Sequence, residues 1–247
     1  MQKIFVESNQ IQGDNITIIG PDVNHIGTVL RMQKEEKLQV CNQNTLENYM
    51  VIIQEIQKEK IVTKVIEKLQ TTVESNVKID LYQGLPKADK MELIIQKTIE
   101  LGIDSIIPVD MIRCVVKLEE KEAKKKIERW QKIAVSASKQ SKRDKIPTIE
   151  QKVKLKEVVQ KIGDYDVFLI AYEEETANSL KQELQKMEAK ETYKIGILVG
   201  PEGGLEEKEV MELKEKGAKV VSLGKRILRT ETAPIAMVSN ILYELEK

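Results

Sequence analysis

Histidine occurs once in this chain of 247 residues, tryptophan once and cysteine twice. A histidine-built metal centre or a Ser-His-Asp triad needs imidazole set among several partners, and His25 alone does not supply it. Cys41 and Cys114 are too few for a disulfide scaffold or for a zinc site of four thiolates. Both lie in apolar stretches and read as packing residues. Glycine and proline number only 12 and 6, which excludes collagen-like and low-complexity chains. No apolar run is long enough to span a bilayer. The first twenty residues carry Glu7 and Asp14 and lack the apolar core of a secretion signal. The expectation is a soluble, cytoplasmic protein of one large or two modest domains, long enough to bury a proper core.

Acidic and basic residues balance at 40 each, so the whole-chain charge says nothing about partners. Its distribution says more. Residues 113–145 hold 12 basic against 5 acidic residues. A basic block in a neutral chain suits phosphate contact, although a solvated lysine-rich helix has the same composition.

Residues 1–70 read as short strands: KIFV (3–6), ITII (16–19), KLQVCN (37–42), NYMVIIQEI (48–56) and KIVTKVIE (60–67). They are rich in β-branched residues and partly alternating. Asp22 suits the N-cap of a helix through NHIGTVLRM. A small barrel or sandwich of five or six strands fits. QTTVESN (70–76) reads as a linker.

From residue 77 the grammar changes. VKIDLYQG (77–84), SIIPV (105–109), DVFLIAY (166–172), YKIGILVG (193–200) and AKVVSLG (218–224) read as apolar strands. Between them lie helical patterns: a helix opened by Pro86 and stopped at Gly102, then 118–140, 176–188, 205–217 and 232–247. Apolar strands alternating with amphipathic helices imply a parallel sheet covered on both faces. In such sheets ligands bind beyond the carboxyl ends of the strands. Three such ends stand out: Ala171-Tyr172-Glu173, the glycine-rich LVGPEGG (198–204), and LGKRILRTETA (223–233).

GPEGG is neither GxxxxGK[ST] nor GxGxxG. Glu202, Glu206 and Glu207 disfavour a phosphate and suit a cationic or hydroxyl-bearing ligand. A tight turn with glycines for packing is the plain alternative. In the third loop, Thr232 with Pro234 is ordinary helix punctuation, whereas Arg226 and Arg229 invite an anion or pair with Glu202 or Glu231. QSKRDKIP (140–147) either complements a helix C-terminus or clamps phosphate.

Taken together, GLPKADKMELIIQKTIELG (84–102), SKQSKRDKIP (138–147), LVGPEGG (198–204) and SLGKRILRTETA (222–233), with HIGTVLR (25–31), resemble the RsmE family of ribosomal RNA methyltransferases in the SPOUT superfamily. The resemblance covers most of the chain. It implies an α/β fold: a small PUA-like RNA-binding β-barrel over 1–70, then over 77–247 a SPOUT domain with a mostly parallel sheet and a trefoil knot. Ordinary chain topology would never suggest the knot. The resemblance further implies S-adenosylmethionine as methyl donor and N3 of one uridine in small-subunit (16S) ribosomal RNA, free or in the assembled subunit, as acceptor. A homodimer through the closing helix follows too, with no metal.

Carried onto this sequence, the donor site comprises Tyr172, Leu198, Gly200, Glu202, Gly203, Leu223, Gly224, Ile227, Leu228, Thr232 and Ala233. Lys3, Arg31, Arg113, Lys139, Lys142 and Arg143 fall to RNA. Arg229 is the expected stabiliser of charge on the base, and Glu231 or water the proton acceptor. The sequence departs from the family at Lys3, where an arginine is usual, at Ser136-Ala137-Ser138 and at Leu205-Glu206. Three alternatives stand beside this reading: a SPOUT enzyme acting on another RNA position or a ribose 2′-OH, a non-catalytic RNA-binding assembly factor, and an unknotted nucleotide-binding enzyme. The last lacks any phosphate-binding fingerprint.

Overall fold

The computed structural model describes residues 3–70 and 72–247. The chain divides into two compact units, Met1–Glu74 with Ser138–Ile146, and Ser75–Ala137 with Pro147–Lys247. Residues 138–146, expected from the sequence within the second domain, thus group with the first unit.

The first unit is one curled sheet. Its strands are β1 (Lys3–Val6), β2 (Ile11–Gln12), β3 (Asn15–Ile19), β4 (Lys37–Asn42), β5 (Asn48–Ile56) and β6 (Lys60–Leu69), in the spatial order β1-β4-β5-β6-β3-β2. Only β1–β4 is parallel. Among the described residues no pairing joins β1 to β2, so the sheet is a half-barrel rather than a closed one. Alternation in the strands turns Ile16, Ile18, Leu38, Val40, Val51 and Ile53 into one core. The helix expected through NHIGTVLRM is a single turn, α1 (Pro21–Asn24), running into a wider turn at His25–Val29. Gly20, at φ 76°, precedes it as the cap, and the Asp22 carboxylate instead accepts from Lys139 Nζ at 2.5 Å.

Residues 138–146 are fastened to this unit by two buried ion pairs. Lys3 is 1% exposed; its ammonium meets Asp144 and donates to Lys142 O at 3.0 Å. The other Asp144 oxygen accepts from Thr72 Oγ1 at 2.8 Å and from the Val73 amide at 3.0 Å. Glu74 takes Arg143 Nη2 at 2.6 Å and Nε at 2.9 Å, and also the amides of Asp144 and Lys145 at 2.8 and 3.2 Å. Burial by itself would raise both carboxyls, but these donors outweigh it and hold Glu74 and Asp144 below the ordinary carboxylate range. The Cys41 thiol donates to Asp144 O at 3.1 Å, and burial, helped by the Asp144 charge, pushes it up to about 12.

The second unit is built on a sheet whose pairs are all parallel. Its strands are β7 (Val77–Gly84), β8 (Ser105–Asp110), β9 (Thr148–Ile149), β10 (Val153–Lys154), β11 (Val167–Ala171), β12 (Tyr193–Val199) and β13 (Lys219–Val221). Their order is β10-β8-β7-β12-β11-β13, with β9 on β8. Helices α2 (Lys90–Leu101), α3 (Glu120–Gln140), α4 (Leu155–Lys161), α5 (Leu180–Leu184), α6 (Glu207–Glu215) and α7 (Thr232–Leu245) connect or cover them. In α2, Met91, Ile94, Ile95, Thr98 and Ile99 form the buried stripe that the helical period demands. Along α3 the buried residues Ala123, Ile127, Trp130, Ala134 and Ala137 repeat at steps of four and three.

Two helices differ from expectation. α2 opens at Lys90, not at Pro86, because Ala88 takes φ 52° and the Lys87 amide donates to Glu202 at 3.0 Å instead of entering a helix. α5 keeps five of the thirteen residues expected over 176–188. Glu175 Oε1 collects the amides of Ala177 and Asn178, and Ser179 caps the shortened helix through Gln182.

Asp144→Ala strands a buried ammonium and is expected to cost about 3–5 kcal/mol in urea unfolding. Lys3→Met should cost less, because Asp144 keeps Thr72 Oγ1 and the Val73 amide as donors. Because Asp144 and Glu74 are depressed in the folded state, their contribution is present above their ordinary values of 3.8 and 4.5 and disappears as pH falls through the lower folded values. The urea midpoint should therefore drop steeply on acidification, and less steeply in Asp144→Asn.

Candidate active site

β11, β12 and β13 all end on one edge of the parallel sheet, since parallel strands share a direction. The loops after them enclose a cavity of about 370 Å³, within the range of small-molecule sites. Residues 171–173 come from the first loop, 199–202 with 204 and 205 from the second and 222–230 from the third. These are the three strand ends singled out from the sequence.

Of the residues assigned to the donor, Tyr172, Gly200, Glu202, Leu223, Gly224, Ile227, Leu228 and Ala233 line the cavity, and so does Arg229. Leu198 is buried within β12. Thr232 opens α7, with Glu231 as the cap, and its amide donates to Arg229 O at 2.8 Å. Gly203 departs from expectation. A Cβ there would meet Arg113 Cβ at 3.0 Å, and Arg113 Nη1 donates to Gly203 O at 2.9 Å. Gly203 packs against Arg113, not against the cavity, so crowding it acts on the loop first. Arg113 in turn pairs with Glu206 at 2.9 Å.

The cavity also holds residues that sequence reasoning missed. Lys90, the first residue of α2, donates to Glu202 Oε1 at 2.8 Å and lies 3.6 Å from Glu231 Oε2. It was legible only as one cation in a lysine-bearing stretch. Burial would raise Glu202, but Lys90 and nearby backbone amides prevail, and the carboxyl titrates below its usual range. Burial, and then the hydrogen bond to Glu174 at 3.0 Å, push the Tyr172 phenol up, so it stays protonated. Glu173 and Thr230 complete the polar lining.

Lys225, Arg226 and Arg229 are exposed and have no carboxylate partner among the described residues. The alternative in which the arginines pair with Glu202 or Glu231 does not hold, because Lys90 takes both carboxylates. Ile227 is 83% exposed between them. The lining thus joins an apolar wall of Leu223, Ile227 and Leu228 to open peptide groups, two carboxylates and unpaired guanidiniums. Such a set suits a small ligand with a flat apolar part and a cationic part, next to a second, anionic reactant. Among the described residues no cluster of histidine, cysteine and carboxylate side chains is arranged for a metal.

The expected RNA contacts divide. Lys3 and Arg143 are buried in the ion pairs described above, and Lys139 is engaged by Asp22. Their charge is spent inside the first unit, which corrects their reading as phosphate ligands. Arg31 and Lys142 are exposed, both with positive φ, at 54° and 59°.

An RNA methyltransferase domain model matches residues 73–242, and an RNA methyltransferase PUA domain model matches residues 18–66. Ribosomal RNA small subunit methyltransferase E of Bacillus subtilis is 39% identical, with 100% of this chain and 98% of that protein covered. The protein of the same name from Aquifex aeolicus is 30% identical, with coverages of 95% and 97%. The crystal structure of ribosomal RNA small subunit methyltransferase E from Neisseria gonorrhoeae, bound to S-adenosyl methionine, is 29% identical with a TM-score of 0.87, covering 100% of this chain and 98% of that one. With the three-loop cavity, the half-barrel and these full-length likenesses in agreement, the chain belongs to the ribosomal RNA small subunit methyltransferase E family.

Proposed function

We propose that this S-adenosylmethionine-dependent methyltransferase of small-subunit ribosomal RNA places its methyl group on N3 of a uridine. The observation that carries the reading is the cavity, whose lining pairs donor-sized space with a guanidinium that no carboxylate among the described residues neutralises. The lining fits the donor. Leu223, Ile227 and Leu228 offer apolar contact to its adenine, the loop backbones offer hydrogen bonds, and Glu173 and Glu202 suit its positive charge. The donor supplies an activated methyl on a sulfonium.

The protein's own part is position and charge. The target base leaves its stack to reach the cavity. N3 of uridine carries a weakly acidic proton, and the base becomes anionic when it departs. Arg229 is exposed in the lining and free to stabilise that anion. Glu231, 3.6 Å from Lys90, takes the proton directly or through water. The sole histidine, His25, lies in the other unit and takes no part. Arg31 and Lys142, exposed in the first unit, bind RNA phosphate, as does Arg113, which follows β8 and packs against the glycine-rich loop. The trefoil knot and a homodimer through α7, whose Tyr243 is 89% exposed, follow from the family resemblance. The protein acts in the cytoplasm, where its RNA is.

Labelled S-adenosylmethionine, small subunits lacking the modification and mass analysis of the released nucleosides test the reading. 3-Methyluridine is the expected product; a different methylated nucleoside overturns the acceptor assignment and keeps the enzyme class. Arg229→Ala should lower single-turnover methyl transfer by about 10²-fold or more, while donor affinity by calorimetry changes little. Turnover near the unmodified level would remove Arg229 from the chemistry.

A further inference from the structure

Gln83 ends β7 one residue before its last and is completely buried, an uncommon place for a glutamine. Its Nε2 donates to Gly84 O at 3.0 Å, to Thr230 Oγ1 at 3.1 Å and, at 3.4 Å, towards Gly200 O. Thr230 Oγ1 in turn donates its own hydrogen bond to Gly200 O at 2.7 Å. Gly200 and Thr230 both line the cavity, one in the glycine-rich loop and the other in the arginine-bearing loop.

Lys90 reaches both loops from outside, through Glu202 and Glu231, but no strand pairing sets the spacing of the loops. They follow β12 and β13, which are not neighbours, because β11 lies between them. No ladder of backbone hydrogen bonds therefore joins their stems. β7 flanks β12 on the opposite side from β11, and at its end the two backbones touch. A Cβ on Gly84 would fall 2.6 Å from Pro201 Cδ and 2.7 Å from Pro201 N. That contact brings the Gln83 amide within reach of both loops.

Gln83 Oε1 is buried and has no hydrogen-bond partner among the described residues. An apolar residue of the same shape would avoid this orphan acceptor. What the glutamine supplies in exchange is its amide group, which donates to Gly84 O at the end of its own strand and to Thr230 Oγ1, with Gly200 O at 3.4 Å, at the junction of the loops.

We propose that Gln83 and Thr230 form a latch that sets the spacing of the glycine-rich and arginine-bearing loops, so that Gln83 is a positioning residue for the methyl donor. The proposal rests on the reading of the cavity as the donor site. It assigns the function to the Thr230 hydroxyl rather than to its methyl group, and this separates it from simple packing.

Calorimetric titration of S-adenosylmethionine into the full-length protein and its variants tests it, with the ligand-free thermal midpoint as a check on folding. Thr230→Val keeps the shape and removes the hydroxyl; Thr230→Ser does the reverse. The latch requires Thr230→Val to weaken the donor by about tenfold or more, the loss expected of one buried hydrogen bond. Thr230→Ser should stay near the parent, and Gln83→Leu should resemble Thr230→Val. If Thr230→Val binds as the parent does, or Thr230→Ser is as weak as Thr230→Val, the hydroxyl is not the link and the latch is overturned. If Gln83→Leu fails to fold, the Thr230 pair still decides. No binding by the unmodified protein would overturn the donor reading itself, a result distinct from failure of the latch.

Discussion

A parallel pair of strands cannot be closed by a tight hairpin, and the arrangement of the second unit follows from that constraint. Each strand must be left by a loop at one edge and re-entered from the other after a crossover. β11, β12 and β13 therefore deliver their outgoing loops to the same place, and a cavity forms where three such loops converge. The apolar strands beneath are buried on both faces and make a stiff base. Gly84, at the end of β7, leaves room for Pro201, so the second loop runs close against that strand.

Charge in that wall is divided unequally. Lys90 holds Glu202 and stands beside Glu231, while Glu173 lines the cavity with no ion pair among the described residues. The guanidinium of Arg229, on a loop with Lys225 and Arg226, has no carboxylate partner among the described residues. An arginine paired with a carboxylate would have little attraction left for an anion in a partly desolvated cavity.

Much of this was legible in the sequence because periodicity reports burial. The strands over 37–42, 48–56 and 77–84 begin and end where their patterns do, and α2 buries the face that its spacing marks. All three cavity loops were visible as strand ends, two of them rich in glycine or arginine. What escaped has one cause: the partner of a side chain lies far away in sequence. Lys3 looks like an exposed cation until Asp144 is brought to it. Gly203 looks like part of the cavity until Arg113 packs on it. Lys90 and Gln83 carry no motif of their own and gain meaning only beside Glu202, Glu231, Gly200 and Thr230. The short strands β9 and β10 and helix α4 have too few residues for a period to register.

The return of residues 138–146 to the first unit bears on how the protein is made. The strands of the half-barrel are complete at Leu69, but Lys3 has no anion until Asp144 has been synthesised. At about 5–20 residues per second the wait from Leu69 to Asp144 is roughly 4–15 s. During that interval the amino-terminal sheet is held without its closing carboxylate while part of the second unit emerges. The amino-terminal unit is thus not a module that folds first and is passed along finished, and a truncation after Glu74 would leave its lysine without a counter-charge.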